Sequence, residues 1–249
     1  MSIKTKMTDP QVLPLGPDGI LVRFGEALSD SANRAALAFR GAVEARAING
    51  VCELASSLTS VMIRFQPDSL TRKALSGHLR DLLDQQDWTK APLPRGRKLW
   101  TLPVVFGGSH GPELDETAAL ANISPDQAID QICAAQTRVL ALGFAPGQPY
   151  LGLLDDHWNI PRRADVTAQV PQGAIVVAVR QIIPFANAAP TGWRQIGQTP
   201  FKCFDAVREN PIAFTAGDEV TFTPIKASAF DTLAQSPDGL GGATFTPLP

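Results

Sequence analysis

Two adjacent arginines, Arg162 and Arg163, follow Pro161 and precede a turn-rich stretch. A guanidinium meets a carboxylate or phosphate with two parallel N–H donors, so the pair is a candidate anchor for an anionic ligand. The plainer alternative is one surface arginine beside one structural ion pair. Trp193, between Gly192 and Arg194 at the start of an expected strand, suits either the floor of a pocket or a core. The run Leu142 to Gly152 reads Leu-Gly-Phe-Ala-Pro-Gly-Gln-Pro-Tyr-Leu-Gly and holds the only tyrosine of the chain. Proline fixes φ and removes an amide donor, while glycine opens backbone angles closed to other residues, which together describe a stiff loop with main-chain groups facing outward. Such a loop cradles a small ligand or, more plainly, connects two strands of a hairpin.

The three histidines, His78, His110 and His157, fall on an expected helix face, in the glycine-rich loop Gly107 to Pro112, and in a polar loop. None stands in a Ser-His-Asp or Cys-His order, and the sequence holds neither a nucleophile elbow nor a Walker loop. No catalytic residue is therefore assigned. Cys52, Cys133 and Cys203 lie far apart without zinc-site spacing, and are expected to be reduced and mostly buried. No metal site is expected.

These groups need elements to position them. At 249 residues the chain is longer than a usual single domain. Two domains are expected, 1–90 and 91–249, with the linker in Thr89 to Lys98, where Pro92, Pro94 and Gly96 interrupt all periodicity. In the first, Ile20 to Phe24 and Val61 to Phe65 read as half-buried strands, each with an arginine set against its apolar face, and Val51 to Leu58 as a third. Ser29 or Asp30 caps a helix carrying Leu37, Phe39 and Val43, and Leu75, Leu79, Leu82 and Leu83 form the stripe of a second. Strand, helix, strand, strand, helix is most of a ferredoxin-like unit.

Beyond the linker come a strand at Leu99 to Phe106 and two short helices. The second opens with a capping box, Ser124 and Gln127, and has Pro125 at its first position. Short apolar strands follow at Val139 to Leu142, Ala174 to Val179, Arg194 to Ile196, Phe201 to Phe204 and Val220 to Ile225, a spacing that indicates a β-barrel or sandwich. Ala227 to Ala234 reads as a closing helix and Ser236 to Pro249 as a loose tail. The fold class expected is α+β.

A net charge of −2 without a basic run removes the electrostatic footprint of a nucleic-acid binder. Hydrophobic residues at 44% and charged residues at 18% argue for a packed core against disorder. Residues Met1 to Pro10 are polar, and no apolar run reaches membrane-spanning length, so a cytoplasmic protein without membrane attachment is expected.

Across nearly its whole length the sequence resembles the family of 5-oxoprolinase B subunits, also called allophanate hydrolase subunit 1, which includes a Kip-type inhibitor of a sporulation histidine kinase. The matching residues are Gly107-Gly108 with Gly111-Pro112-Glu113-Leu114, Gly143-Phe144-Ala145-Pro146-Gly147 with Pro149-Tyr150-Leu151-Gly152, and Pro161-Arg162-Arg163. Further matches are Val170-Pro171 with Gly173, Gly192-Trp193, Ile196-Gly197 with Thr199-Pro200, Phe204-Asp205 and Gly217-Asp218. The resemblance implies a small α/β domain followed by a cyclophilin-like β-barrel. It also implies a larger homologous partner, the C-type component (allophanate hydrolase subunit 2), paired as in the carboxyltransferase domain of urea carboxylase. With an A-type component, the complex would couple ATP hydrolysis to opening of the 5-oxoproline ring; neither metal nor biotin is expected on this chain.

The site residues so implied are Phe144, Pro146, Gly147, Pro149, Tyr150, Arg162, Arg163, Gln181 and Trp193. The chain departs from the pattern where relatives carry His-Ser, here Ile132-Cys133, and Pro-Gly-Phe-Pro-Tyr, here with Gln148. Of a Gly-x-Gln-Thr-Gly stretch only Gln181 remains, and a Ser/Thr-Pro-Gly-Gly-Trp stretch appears as Ala189 to Trp193. Losing a histidine and a hydroxyl removes groups that ring-opening would use, so the expected role is that of a non-autonomous component. The alternatives are a regulatory module of the kinase-inhibitor type and, more weakly, a peptidyl-prolyl isomerase suggested by fold alone.

Overall fold

The computed structural model describes residues 9–249, so the polar stretch Met1 to Pro10 lies almost wholly outside the described residues. The chain divides into two compact units between Arg95 and Gly96.

In the first unit, strands β1 (Gln11–Leu15), β2 (Gly19–Arg23), β3 (Val51–Ser57) and β4 (Ser60–Phe65) accompany helices α1 (Asp30–Ala45) and α2 (Arg72–Leu83). The strands pair antiparallel in the order β1-β2-β4-β3. Strand β1 is an addition to the elements expected from sequence. Both helices begin at hydroxyl caps: Ser29 Oγ accepts from the Ala32 N–H at 3.2 Å, and Thr71 Oγ1 from the Ala74 N–H at 3.2 Å. Each such cap is worth about 1 kcal/mol. Leu75, Leu79 and Leu82 join Ile20, Val22 and Ile63 in one core. Arg72 at the start of α2 donates to the carbonyls of Gly16, Pro17 and Gly19, which ties the β1–β2 turn to that helix.

The second unit is a closed barrel. Its wall contains β5 (Lys98–Phe106), β6 (Thr137–Leu142), β7 (Pro149–Gly152), β9 (Ala174–Ala178), β10 (Gln181–Pro184), β12 (Arg194–Gln198) and β13 (Glu219–Pro224). They run in the order β6-β13-β5-β12-β9-β10-β7, and β7 pairs back onto β6. Helices α3 (Leu114–Leu120), α4 (Pro125–Ala134) and α5 (Ala227–Ala234) complete it, α4 opening with the expected capping box. The period-2 alternation of a strand decides what faces inward. Ile175 and Val177 of β9 and Ile182 of β10 enter the barrel core. Their neighbours Ala174, Val176, Ala178 and Ile183 form a second, smaller cluster on the outer face.

That outer face is covered by a two-stranded ribbon of β8 (Thr167–Val170) and β11 (Ala189–Thr191). All five residues of β9 are buried for this reason. A strand covered on both faces reads as a continuous apolar run without alternation, as Ala174 to Ala178 does.

Two expectations are overturned. The tail Ser236 to Pro249 holds strand β14 (Thr244–Pro247), antiparallel to β5, with Ala243 buried. Its glycines form the turns that bring it back: a Cβ on Gly241 would lie 2.5 Å from the Pro200 carbonyl. Phe201 to Phe204 is no strand but an irregular segment between Pro200 and Pro211, with a single bridge from Phe204 to Ile212. Leu142 closes β6 as expected, and the hairpin reading of the run to Gly152 holds, with Pro149 to Gly152 as strand β7.

Candidate functional site

The Leu142 to Gly152 run is the β6–β7 hairpin, with Ala141 opposite Tyr150 and Leu142 opposite Pro149. Gly143 N donates to the Gln148 carbonyl at 3.1 Å and Gln148 N to the Ala145 carbonyl at 3.1 Å, which closes the loop. Gly147 sits at φ +72°, and a Cβ there would lie 2.9 Å from the Cys203 carbonyl, so only glycine lets the hairpin approach the 201–204 segment. The hairpin leaves Phe144 74% exposed at its tip.

Between this tip, the outer face of β7 and β10, and the β11 end of the ribbon lies a cavity of about 290 Å³. Phe144, Val166, Ile183, Phe185 and Pro190 give it apolar walls. Tyr150, Arg162, Gln148 and Thr191 supply its polar groups, with Trp193 and Gly192 beside them. The Arg162 guanidinium lies 5.3 Å from the Trp193 ring centroid, and the Tyr150 and Trp193 rings meet edge to face at 6.4 Å. A guanidinium parked on an aromatic face is partly desolvated and keeps its N–H edges available for an anion. No carboxylate, imidazole or thiol belongs to this lining.

Of the nine residues named from the sequence, Phe144, Tyr150, Arg162 and Trp193 line the cavity, whereas Pro146, Gly147, Pro149, Arg163 and Gln181 do not. Arg163 is turned away. Its guanidinium bonds the Glu113 carboxylate, and its N–H donates to the Gly192 carbonyl at 2.7 Å. Glu113 in turn accepts from the Gln195 N–H, so the ion pair joins the 161–163 segment to β12. Arg194 adds a parallel tie, 2.8 Å to Glu116 and 2.7 Å to the Pro161 carbonyl. These clamps hold the segment that presents Arg162. Gln181 is buried on β10 opposite Gly152, with no partner for its Nε2 among the described residues.

Sequence reasoning missed Ile183 and Phe185 as lining residues, and with them Gln148, Val166, Pro190, Thr191 and Gly192. The first two alternate with Ile182 and Pro184, a signal visible only once β10 is known to be covered on both faces.

A larger groove of about 480 Å³ in the first unit is lined by residues including Arg40, Glu44, Asn49 and Cys52. There Arg40 pairs with Glu44 at 3.4 Å, so its charges answer each other rather than a ligand. The histidines of the second unit are likewise engaged in structure. His110 Nδ1 lies 3.0 Å from Gln198 Oε1 with its ring against Phe230, and His157 Nε2 lies 2.6 Å from Gln131 Oε1.

Residues 10–214 match the family model described as carboxyltransferase domain, subdomain C and D. The chain belongs to that family. Among its relatives, the 5-oxoprolinase B subunit of Bacillus subtilis (strain 168) is 28% identical over 222 residues, 86% of this chain and 92% of that protein. The crystal structure of TTHA0988 superposes with a TM-score of 0.71 at 29% identity over 84% of this chain, which spans 40% of that longer chain. The urea amidolyase of K. lactis shares the fold, with a TM-score of 0.72 at 18% identity, over 99% of this chain and 17% of its own.

Among the described residues, the carboxyltransferase-family chain has no group of acidic, histidine and cysteine side chains arranged for a metal ion, and no helix long and apolar enough to cross a membrane. The expectation of mostly buried cysteines is corrected: Cys52 is exposed, Cys133 half-buried and only Cys203 buried. Cys52 falls on the outward phase of β3, an exposed strand position that burial statistics for cysteine do not foresee. Burial pushes the Cys203 thiol up to about 12 and, with Asp130 beside it, the Cys133 thiol up to about 11. Both exceed their unfolded values, so their stabilisation is complete below about pH 9 and is lost as pH rises towards the folded values. The loss reaches up to about 1.4 kcal/mol per pH unit for the buried Cys203 and less for the half-buried Cys133, where solvent screens the charge. At pH 8, a thiol reagent is expected to modify Cys52 first, Cys133 slowly and Cys203 only on unfolding; peptide mapping of the labelled protein checks the order.

Proposed function

We propose that this chain is the B-type component of an ATP-dependent 5-oxoprolinase-like complex, in which it offers one wall of a substrate site that a C-type partner completes. The observation that supports this reading is the cavity beside Tyr150. It pairs a guanidinium with apolar walls, which suits a small organic anion, yet it is lined by no carboxylate, imidazole or thiol to move protons. Binding groups with a lone phenol, and without a carboxylate, imidazole or thiol, fit one half of a site. The relative from Bacillus subtilis is named as one subunit of 5-oxoprolinase, and TTHA0988 carries a matching region within a longer chain, in keeping with a component that works alongside other polypeptide.

The cavity does not fit ATP. Its volume is about 290 Å³, and Arg162 is the one charged side chain in its lining, against a triphosphate of several negative charges. ATP therefore belongs to another component of the complex, and no step here is routed through it. The finer fold assignment goes with this proposal, the first unit as ferredoxin-like and the barrel as cyclophilin-like, in a cytoplasmic complex. A purely regulatory module would use the exposed apolar side chains Phe144 and Val166 for docking without transforming a molecule.

Mixing the purified chain with its A-type and C-type neighbours is expected to give ATP-dependent glutamate release from 5-oxoproline, with none from this chain alone. A well-folded three-component complex that releases no glutamate would contradict the proposal.

A further inference from the structure

The cavity lining separates by chemistry. Phe144, Val166, Ile183, Phe185 and Pro190 are apolar, and Phe144 at 74% and Val166 at 64% exposure leave most of their surface in water. Strand phase turns Ile183 into this wall, since Ile182 beside it enters the barrel core. Such surface gains free energy only from an apolar body that covers it. The polar groups differ in what already occupies them. Thr191 Oγ1 accepts from the Trp193 backbone N–H at 3.1 Å and Gln148 Oε1 from the Ala186 N–H at 3.4 Å, so both oxygens hold backbone. The indole N–H groups of Trp88, Trp100 and Trp158 donate to the Leu83 carbonyl, Asp218 and Gln131 respectively. That of Trp193 makes no hydrogen bond among the described residues, and neither does the Tyr150 hydroxyl or the Arg162 guanidinium.

These three groups meet at one place, because the Arg162 guanidinium and the Tyr150 ring both pack against Trp193. A carboxylate accepts at two oxygens with about four lone-pair sites, which matches a cluster of donors. No carboxylate of the lining answers Arg162, and no second cation is there for a second negative charge. A polar body beyond the carboxylate would gain little from Phe144 and Val166. At about 290 Å³ the cavity lies at the small end of ligand sites. Resting on the reading of this cavity as one wall of a substrate site, we propose that it takes monocarboxylates with an apolar body, arylalkanoic acids above all, and that these compete with the substrate of the complex. The carboxylate faces Arg162, Tyr150 and Trp193, and the ring covers Phe144, Val166 and Ile183.

Three probes separate the contributions: 3-phenylpropionate, propionate, which lacks the ring, and 3-phenylpropanol, which lacks the charge. In NMR titrations of the full chain, 3-phenylpropionate is expected to bind about tenfold or more tightly than either of the others. It is expected to move the indole N–H signal of Trp193 while those of Trp88, Trp100 and Trp158 stay in place. Phe144→Ala should shrink the advantage over propionate, and Arg162→Ala that over 3-phenylpropanol, with thermal melting reporting the fold of each variant. In the assembled complex, 3-phenylpropionate is expected to raise KM for 5-oxoproline and to leave kcat unchanged. Equal affinities for the three probes, or an unmoved Trp193 signal, would overturn the inference, and inhibition that lowers kcat alone would overturn the competition. Neither result touches glutamate release by the complex, so the substrate-wall reading would stand. Binding at Trp193 in a complex that releases no glutamate would overturn that reading instead and keep the ligand class.

Discussion

Replacing Gly173 with alanine is expected to cost the barrel more than about 4 kcal/mol, enough to remove most of the stability of an ordinary domain. Two penalties coincide at this position. Gly173 has φ +79°, and an added Cβ would stand 2.2 Å from the Thr199 carbonyl oxygen. The overlap cannot be relieved by a side-chain rotation, because the opposing atom is backbone. That backbone is also pinned, since Gly173 N donates to the Phe185 carbonyl at 2.8 Å and its own carbonyl accepts from the Thr199 N–H at 2.8 Å. Moving it would loosen the ends of β9, β10 and β12 together, including Phe185 of the cavity wall. Gly108→Ala is the matched comparison: φ is +55°, but nothing lies within 4 Å of the added Cβ, so only the left-handed backbone cost of about 1–2 kcal/mol remains. Thermal melting of the two variants checks the difference, and equal losses would mean that the close approach of Gly173 is not what stabilises the barrel.

The two adjacent arginines are expected to separate into one functional and one structural residue. Arg162 is exposed, and what it loses as Arg162→Ala is one cation–π contact, about 0.5–1 kcal/mol. In the reconstituted complex the same change removes the only charged group of the cavity lining, and KM for 5-oxoproline is expected to rise by about ten- to a hundredfold, as for loss of a charge-assisted bond. Arg163→Ala does the reverse. It leaves Glu113, whose side chain is 13% exposed, without its cation, and is expected to cost about 3 kcal/mol of stability. Its effect on KM should follow only from displacement of the Arg162 segment. Steady-state kinetics and melting curves on both variants decide the matter; a reversed pattern would place the ligand against Arg163 instead.

What the sequence made legible follows from the range of the forces involved. Local signals were read correctly: the hydroxyl caps of α1 and α4, the Leu75–Leu79–Leu82 stripe, and the short apolar strands β6, β9, β12 and β13. Strands β1, β7, β8, β10, β11 and β14 were not, because they are short and interrupted by proline, glycine or polar residues, and only pairing with a partner makes them strands. Pro149 to Gly152 and Thr244 to Pro247 are ordered by β6 and β5 respectively. The site was legible in the same proportion. Trp193 fills both roles that its position suggested, core and cavity wall, since the outer cluster and the cavity share it. Of the alternatives for the arginine pair, the structure shows the plainer one, an exposed Arg162 beside an ion-paired Arg163, and the anion-binding role of Arg162 belongs to the proposal. Gln148 stood out in sequence only as an odd replacement, because its burial depends on how the ribbon covers β10.

The claim on which the account turns is that the surface around Phe144 and Arg162 is one half of a site closed by another polypeptide. Hydrogen exchange read by mass spectrometry, on the chain alone and then with its C-type partner and 5-oxoproline, tests it directly. Slowed exchange is predicted at 143–150 and 162–167, with no comparable change at 47–54 along the larger groove. Protection confined to that groove, with the Phe144 and Arg162 segments exchanging as in the isolated chain, would contradict it.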